Sequence, residues 1–341
     1  MKQRVEHIPG WQIVCCLIVL SLLTSIFQSP SVFAQETNSP DGQPSSEQFP
    51  DGITPSDVFA RLDLLDRCLD RLLTARSKSA PEIPPKMETK LGPLHVYQMV
   101  LACAMRAQEL SDQVGVLAVP TLSAKPRYYA PRDVLMVGDL ILDAVRRVAT
   151  KLEIQDLPAD ETTAPGKSPT DVFGQAVSVF LKLNTLCGND DIPPNAVYAE
   201  MVRAGDDVRS VLRQADPESR YRVDSPRSEP GQIPADVFDK CVEIRQLLNK
   251  YRLAAGEPAV PLPSSPSDYE VRPRDVFLQT QIIIAELNFL KLHTNTISST
   301  PLAVPVASTK APTDVHEQAS LIEYLLGQVE VGAKISENSS K

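Results

Sequence analysis

This chain has few of the residues that catalytic and cofactor sites commonly use. Its 341 residues include four histidines, six cysteines and one tryptophan. It has no HExxH, GxSxG, Walker or GxGxxG motif, and no CxxC or CxxCH motif. These absences argue against a zinc protease, a serine hydrolase, a nucleotide-binding loop, a redox motif and attached haem. We therefore assign no catalytic, cofactor-binding or metal-binding residue, and we expect no cofactor and no enzymatic activity.

Charge and hydropathy exclude further classes of partner. The net charge is −9 and the chain has no basic cluster, so nucleic acid and anionic membrane surfaces are poor partners. After residue 27 no segment is long and apolar enough to span a bilayer. We expect no membrane contact beyond the N-terminal segment, which leaves protein as the expected partner. The sequence does not predict the oligomeric state.

What the chain does contain is a repeat. The pattern Pro-x-x-Val occurs eight times, each time at the start of an apolar run. The copies are Pro55–Val58, Pro93–Val96, Pro131–Val134, Pro169–Val172, Pro194–Val197, Pro234–Val237, Pro273–Val276 and Pro312–Val315. Successive valines are 38, 38, 38, 25, 40, 39 and 39 residues apart. A period of about 39 residues is typical of a repeat array.

Each copy has the features of a helix start. Proline suits the first helical position, where its missing N–H would have no partner in any case. In six copies Asp follows two residues later, where a carboxylate faces the free N–H groups of the first turn. Thr54 and Ser168 precede their prolines and, with Asp57 and Asp171, resemble capping boxes in which Asp replaces the usual Glu.

The residues after each Val predict a helix with one packing stripe. Counted from the Val, positions +4, +7, +11 and +14 hold small or apolar residues in nearly every copy, which is helical spacing. In the fourth copy these residues are Val172, Ala176, Val179, Leu183 and Leu186. The fold class we predict is an all-α repeat array of eight helices, each about 19 residues and roughly 28 Å long, arranged as two four-helix blocks.

Long proline-rich linkers join most of these helices. Apolar-Pro steps recur at matching places within them, at Val119-Pro120, Leu157-Pro158 and Val260-Pro261, and slightly later at Ile83-Pro84 and Val304-Pro305. We predict ordered, extended segments that lie on the helices; the alternative is a set of flexible surface loops. About 20 extended residues reach back over a helix of this length, which allows successive helices to lie parallel.

One connection is short and divides the chain into halves. Residues 188–193 reach only about 20 Å, so we predict that the fourth and fifth helices are antiparallel or sharply crossed neighbours. The predicted blocks are residues 54–187 and 194–330. The sequence around Pro131 resembles that around Pro273, and the sequence around Pro169 resembles that around Pro312, which suggests duplication of a four-helix block.

The N-terminus has the pattern of a secretory signal. Lys2 and Arg4 precede the apolar stretch 11–27, and Val32 and Ala34 supply small residues before a cleavage site. Cleavage after Ala34 would leave a periplasmic or secreted protein; the alternative is an anchor formed by residues 11–27. We predict a signal peptide at 1–34, a disordered leader at 35–53 and a disordered tail at 331–341.

Four cysteines follow the predicted signal: Cys68, Cys103, Cys187 and Cys241. They are either buried small apolar residues or, in an exported protein, members of one or two disulfides whose pairing the sequence leaves open.

Other candidate residues have simpler interpretations. His95 and His316 stand where other copies have Asp and an aromatic, so we interpret them as variation at helix starts. We interpret Cys187-Gly-Asn-Asp-Asp191 as a solvated turn, because it lacks the oxygen spacing of a calcium loop. The aromatics that follow the Val are expected to pack in the core where repeats meet, and they are Phe59, Tyr97, Phe173, Tyr198, Phe238 and Phe277.

Two functions fit this pattern. Repeat arrays build extended surfaces suited to protein binding, so we predict an exported scaffold or adaptor of the cell envelope. The alternative is a periplasmic small-ligand or lipid sensor with a cavity between the helix stripes, helped by small residues such as Gly138, Ala176 and Ala319. An enzyme would need residues brought together from different repeats.

Overall fold

The computed structural model describes residues 52–84, 90–215, 226–263, 270–299, 303–304 and 306–329. Regular structure within these ranges consists of eight α-helices, each of which begins at the proline of one repeat copy. They are α1 Pro55–Ala75, α2 Pro93–Val114, α3 Pro131–Lys151, α4 Pro169–Leu186, α5 Pro194–Ala215, α6 Pro234–Ala254, α7 Pro273–His293 and α8 Pro312–Gly327. The all-α fold and the eight helix starts are confirmed. The predicted signal segment, most of the predicted leader and the predicted tail lie outside the described residues.

The helix starts are capped by the repeated third residue. In six helices the Asp carboxylate accepts a hydrogen bond from the N–H of the residue before the proline, at 2.7–2.9 Å. These residues are Asp57, Asp133, Asp171, Asp236, Asp275 and Asp314. In α2, His95 takes this role, because its Nδ1 accepts from Gly92 N–H at 3.0 Å. The box at Ser168 is complete, since Ser168 Oγ accepts from Asp171 N–H at 3.3 Å.

The predicted stripe forms the core. All five stripe positions are buried in every one of the eight repeat copies, and the last of them, Val329, lies just beyond the end of α8. In α4, for example, the exposed fraction of Val172, Ala176, Val179, Leu183 and Leu186 ranges from 0% to 2%. A helix that buries one stripe needs facing stripes from its neighbours, so the pattern accounts for the assembly of the helices into bundles.

The helices form two four-helix bundles with the same connectivity. In bundle one (α1–α4), α1 and α2 each pack against both α3 and α4; in bundle two (α5–α8), α5 and α6 each pack against both α7 and α8. At one end of each bundle, the Pro and Val of all four repeat copies line a single small cavity. All four helices of a bundle therefore begin at the same end and run parallel.

The two bundles run in opposite directions. The main helix contact between them joins α2 to α7. His95 contacts Glu286, and Gln98 Nε2 donates to Gln281 Oε1. Because residue numbers rise along α2 as they fall along α7, these helices are antiparallel, and so are the bundles.

One prediction about the short connection is wrong. The opposite directions of the bundles make α4 and α5 antiparallel, as predicted, but these two helices are not one of the packed pairs. Residues 188–193 join the C-terminal end of bundle one to the N-terminal end of bundle two. Opposite bundle directions bring those ends to the same end of the molecule, so the short connection does not require the two helices to pack.

The linkers lie on the helices where the apolar-Pro steps matched best. Val119 and Val260 are 3% and 5% exposed, and Leu157 packs partly buried against the core. The later steps differ, because Ile83 and Val304 are 43% and 76% exposed. A parallel bundle needs connections that return along its whole length, which explains why the linkers are long.

Matching contacts in the two bundles agree with a duplication. In bundle one, the N–H of Lys167, just before α4, donates to Ser56 Oγ of α1 at 3.1 Å. In bundle two, the N–H of Lys310, just before α8, donates to Asn195 Oδ1 of α5 at 2.8 Å. The two lysine ammonium groups also lie 4.4 Å from equivalent aromatic ring centres, over Phe59 and Tyr198.

Candidate functional site

The junction between the bundles concentrates the buried polar residues of the described chain. They come from four helices, α2, α5, α6 and α7. The helix α7 supplies more of them than any other and is buried continuously from Arg274 to Lys291. The buried polar side chains at or beside this junction are His95, Gln98, Glu200, Arg203, Asp207, Arg245, Gln279, Gln281, Glu286, Asn288 and Lys291. Burial of so many polar groups is costly unless they are paired, so their partners define the site.

The first group is built around Glu286. His95 Nε2 lies 2.6 Å from Glu286 Oε1, and both side chains are 3% exposed. Arg252 Nη1 donates to both carboxylate oxygens of Glu286, each at 3.2 Å. Burial acts to raise the pKa of Glu286, but the hydrogen bond and charge of His95, together with Arg252, outweigh it and hold the pKa below its ordinary value.

The second group crosses the junction through amides. Gln98 Nε2 of α2 donates to Gln281 Oε1 of α7 at 2.8 Å. Gln98 Oε1 accepts from Arg203 Nη2 of α5 at 3.4 Å, and Arg203 Nη1 donates to Glu200 Oε2 at 3.0 Å. This chain ties one bundle to the other with directional bonds, so it favours one register of the two bundles.

The third group lies within bundle two beside the junction. Lys291 Nζ donates to Asp207 Oδ1 at 2.6 Å, and burial lowers the pKa of Lys291 against the opposing effect of Asp207. Arg245 Nη1 and Nη2 donate to Gln279 Oε1 and to the carbonyl of Pro261, at 2.6 and 2.7 Å. Burial lowers the pKa of Arg245 to about 10, and the charge of Glu286 opposes that shift. A guanidinium group whose burial is unfavourable thus lies near the Glu286 carboxylate.

Aromatic contacts flank these polar groups. Phe180 of α4 stacks on Phe277 of α7 with ring centres 4.8 Å apart. Tyr128, in the linker before α3, meets His293 edge-on at 6.5 Å, and His293 lies 4.2 Å from Phe289. The junction thus combines apolar area with paired charges, a composition that resembles the interface between two folded domains.

The small cavities at the bundle ends have little capacity. Each is lined by four prolines and four valines and holds about 20 Å³ in bundle two and about 10 Å³ in bundle one. A water molecule needs roughly 10–15 Å³ of such space and also polar partners, whereas ligand pockets are typically about 300–1,000 Å³. These two cavities give no support to a ligand site between the helix stripes.

The residues singled out in the sequence have local partners. His95 occupies the capping position of the repeat, as predicted, but its contact with Glu286 was not foreseen. His316 Nδ1 lies 2.7 Å from Ser228 Oγ, a contact that holds the linker before α6 against α8. In the turn Cys187–Asp191, Asn184 Nδ2 donates to the carbonyls of Asn189 and Asp191, both at 3.3 Å. Among the described residues no group of three or more His, Cys, Asp or Glu side chains is arranged to hold a metal ion.

The four described cysteines are free thiols. Cys68, Cys103 and Cys241 are buried, and Cys187 is half-buried. Burial raises the pKa of the Cys187 and Cys241 thiols to about 12, which disfavours the reactive thiolate. The interpretation as buried small residues fits three of them, and no disulfide joins any two of the four.

The aromatics after the repeat Val divide into two groups. Tyr97, Phe173, Phe238 and Phe277 are buried, as predicted, whereas Phe59 and Tyr198 are half-buried under the lysines described above. Tyr97 and Phe277 stack on Tyr129 and Phe180, not on one another.

A signal for the junction was present in the sequence. Residues 96–105 of α2 carry no charge, and α7 has amides at Gln279, Gln281 and Asn288 where a solvated face would carry Lys or Glu. Such helices, apolar or amide-bearing on nearly all sides, are typical of buried positions.

Comparison with known proteins gives no relative from which a site could be transferred. No helix within the described ranges has the length and apolarity that crossing a bilayer requires. No protein-family model, no curated protein and no solved structure matches this chain.

Proposed function

We propose that this protein is an exported helical-repeat scaffold or adaptor that binds other proteins in the cell envelope. The observation that carries the proposal is the position of the exposed large apolar side chains: most lie on the linkers that cover the bundles. The linker residues are Ile83, Leu117, Tyr128, Leu152, Ile233, Ile297 and Val304, against Met136, Leu253 and Tyr324 on helices. Protein-binding surfaces are built from exposed apolar and aromatic side chains.

The interior supports the same proposal. The helix stripes are buried in the two cores, and α2 and α7 pack against each other at the junction. The outer surface therefore remains for recognition. The cavities at the bundle ends are too small for a ligand, and no observation favours the alternative of a ligand or lipid sensor. Export is supported by the N-terminal sequence, with its basic start, apolar stretch and small residues before Gln35.

The test is crosslinked affinity capture of the tagged full chain from envelope fractions of its own host, read by mass spectrometry. The same capture is run with two triple variants. The linker variant is Leu117→Ser, Tyr128→Ser and Ile297→Ser; the matched helix variant is Met136→Ser, Leu253→Ser and Tyr324→Ser. We expect a stoichiometric protein partner that is lost at least tenfold with the linker variant and kept with the helix variant.

Two outcomes would contradict the proposal. Absence of a reproducible partner would count against a scaffold, and equal loss with both triple variants would count against the linkers as the binding surface. The mass of the chain recovered from the envelope fraction tests export, since cleavage after Ala34 leaves Gln35 as the first residue.

A further inference from the structure

Two arginines at the start of α7 hold one carboxylate that belongs to bundle one. Arg272 Nη1 donates to Glu82 Oε2 at 3.0 Å, and Arg274 Nη2 lies 3.0 Å from the same oxygen. Arg274 Nη1 also donates to the carbonyl of Glu82 at 3.0 Å. The hydrogen bond and charge of Arg274, together with the charge of Arg272, lower the pKa of Glu82. Glu82 is therefore ionised at neutral pH and pairs with the arginines as a bound anion would.

The arginines belong to a buried and well-packed element. Arg274 is 8% exposed, and its Nε is buried with no hydrogen-bond partner among the described residues. Arg274 also lies in the first turn of α7, where the free N–H groups give the helix its positive end. Asp275 of the same turn adds a negative charge, but its carboxylate is engaged as the cap of α7 and accepts the N–H of Arg272 at 2.8 Å. The buried guanidinium of Arg274 therefore depends on an anion from outside its own helix.

The carboxylate belongs to a lightly held segment. The Glu82 side chain is 66% exposed, and no residue from 79 to 84 is buried. Ile83 is 43% exposed, whereas Val119 and Val260, which belong to similar apolar-Pro steps in two other linkers, are 3% and 5% exposed. Exposed ion pairs contribute little to stability. The segment around Glu82 can therefore leave the arginines at small cost, while the arginines stay on α7.

We propose that Arg272 and Arg274 form a binding site for a carboxylate from an acidic segment of a partner protein, and that Glu82 fills this site until the partner displaces it. Two guanidinium groups that converge on one point match a carboxylate in charge and in hydrogen-bond geometry. Glu82 marks the position of the partner's carboxylate, because these donors already hold it there. The inference rests on the proposed function, since it names the chemistry of the protein that the scaffold binds.

The test measures binding of fluorescein-labelled hexaglutamate to the purified full chain by fluorescence anisotropy at low ionic strength, with labelled hexaglutamine as the uncharged match. The net charge of −9 disfavours non-specific binding of an anionic peptide. Glu82→Gln removes the competing carboxylate with little change in size. It should tighten binding of hexaglutamate by roughly fivefold, the scale of a surface ion pair that no longer competes. Hexaglutamine should bind neither chain.

Two further variants identify the site. Glu153→Gln is the matched control, because it removes the same charge from an exposed carboxylate of another linker, and it should bind hexaglutamate as the unchanged chain does. Adding Arg272→Gln to Glu82→Gln should abolish the gain in affinity. Arg272 is chosen because its side chain is 45% exposed, whereas substitution of the buried Arg274 would disturb the folding of α7. Far-UV circular dichroism checks that each variant is folded.

Displacement of the segment has its own readout in the methyl NMR spectrum of the isoleucine-labelled chain. On addition of hexaglutamate to the unchanged chain, the Ile83 methyl signal should move towards its position in Glu82→Gln, and the signal of Ile297, on another linker, should not move. The proposal is overturned if Glu82→Gln binds hexaglutamate no more tightly than Glu153→Gln, if the gain survives Arg272→Gln, or if the Ile83 signal stays in place. The assay uses purified chain and a defined peptide, so a failed envelope capture would count against the scaffold and leave this site standing.

Discussion

At the scale of single residues, one substitution within the repeat explains how the two bundles are matched. Six helices are capped by an Asp that accepts a backbone N–H, and α2 uses His95 for the same bond. An Asp at this place would put its carboxylate against Glu286, which is 3% exposed. Histidine provides the same acceptor on one side and a donor on the other, so it satisfies both the cap and the junction.

This argument predicts the effect of restoring the repeat residue. His95→Asp should lower the free energy of unfolding by about 3 kcal/mol, the scale of an uncompensated buried charge. His95→Asn should cost less, about 1–3 kcal/mol, because it keeps the cap and adds no charge but gives up the contact with Glu286. Urea denaturation measures both. Adding Glu286→Gln to His95→Asp should recover part of the loss, and no recovery would show that the carboxylates do not meet.

At the scale of elements, the ends of the helices are as regular as their starts. In five helices the residue 19 positions after the Val has a positive φ, the conformation that ends a helix with a left-handed residue. These residues are Ser77, Gly115, Glu153, Gly256 and Asn295. Glycine adopts this conformation without strain, whereas other residues pay roughly 1 kcal/mol for it.

At this position, replacing another residue by glycine should therefore stabilise the protein, and replacing glycine by another residue should destabilise it. Glu153 is exposed and has φ 57°, and Gly115 has φ 74° with nothing within 4 Å of an added Cβ. Glu153→Gly should raise the free energy of unfolding by up to about 1 kcal/mol, and Gly115→Ala should lower it by a similar amount. Thermal and urea unfolding give both values; a loss of stability in Glu153→Gly would refute the shared ending.

The linkers are elements too, and Asn249 is one of the side chains that hold the linker before α7. Asn249 makes two hydrogen bonds to the backbone of Val260, both 2.8 Å. Asn249→Ala should cost about 1–3 kcal/mol, because Val260 is buried and loses both partners. Amide hydrogen exchange at Val260 should rise, while Lys250→Ala, on the exposed neighbour, should leave it unchanged. Unchanged exchange in Asn249→Ala would show that the two bonds from Asn249 do not protect Val260.

Features that depend on residues close together in the chain could be predicted from the sequence, and features that depend on distant residues could not. The starts at Pro-x-x-Val and the stripe through Leu183 or Leu287 depend on residues within a few turns, so their pattern is readable and was confirmed. The contact of His95 with Glu286 joins residues that are far apart in the chain, and its geometry depends on the direction in which the bundles pack. The same dependence explains why α4 and α5 were wrongly expected to be packed neighbours.

At the scale of the whole molecule, stability should be divided between two cores. Leu183 of bundle one and Leu287 of bundle two are both 0% exposed. Leu183→Ala and Leu287→Ala should each cost about 2–5 kcal/mol. Pulsed hydrogen exchange under mild denaturant should show the mutated bundle opening first in each variant. An unchanged melting temperature in both would show that the stripe is not the core.

The parallel arrangement also has a consequence for how the chain folds. In bundle one, α1 packs against α3 and α4 but not against α2, which follows it directly. No helical hairpin can therefore form as the first two helices leave the ribosome, and α1 has no partner until residues beyond Pro131 have been made. All-helical proteins usually fold fast because their contacts are local; here the defining contacts are distant. We therefore expect refolding on the time scale of β-sheet proteins, which stopped flow can measure. An incomplete chain should expose its apolar stripes until the fourth helix has been synthesised.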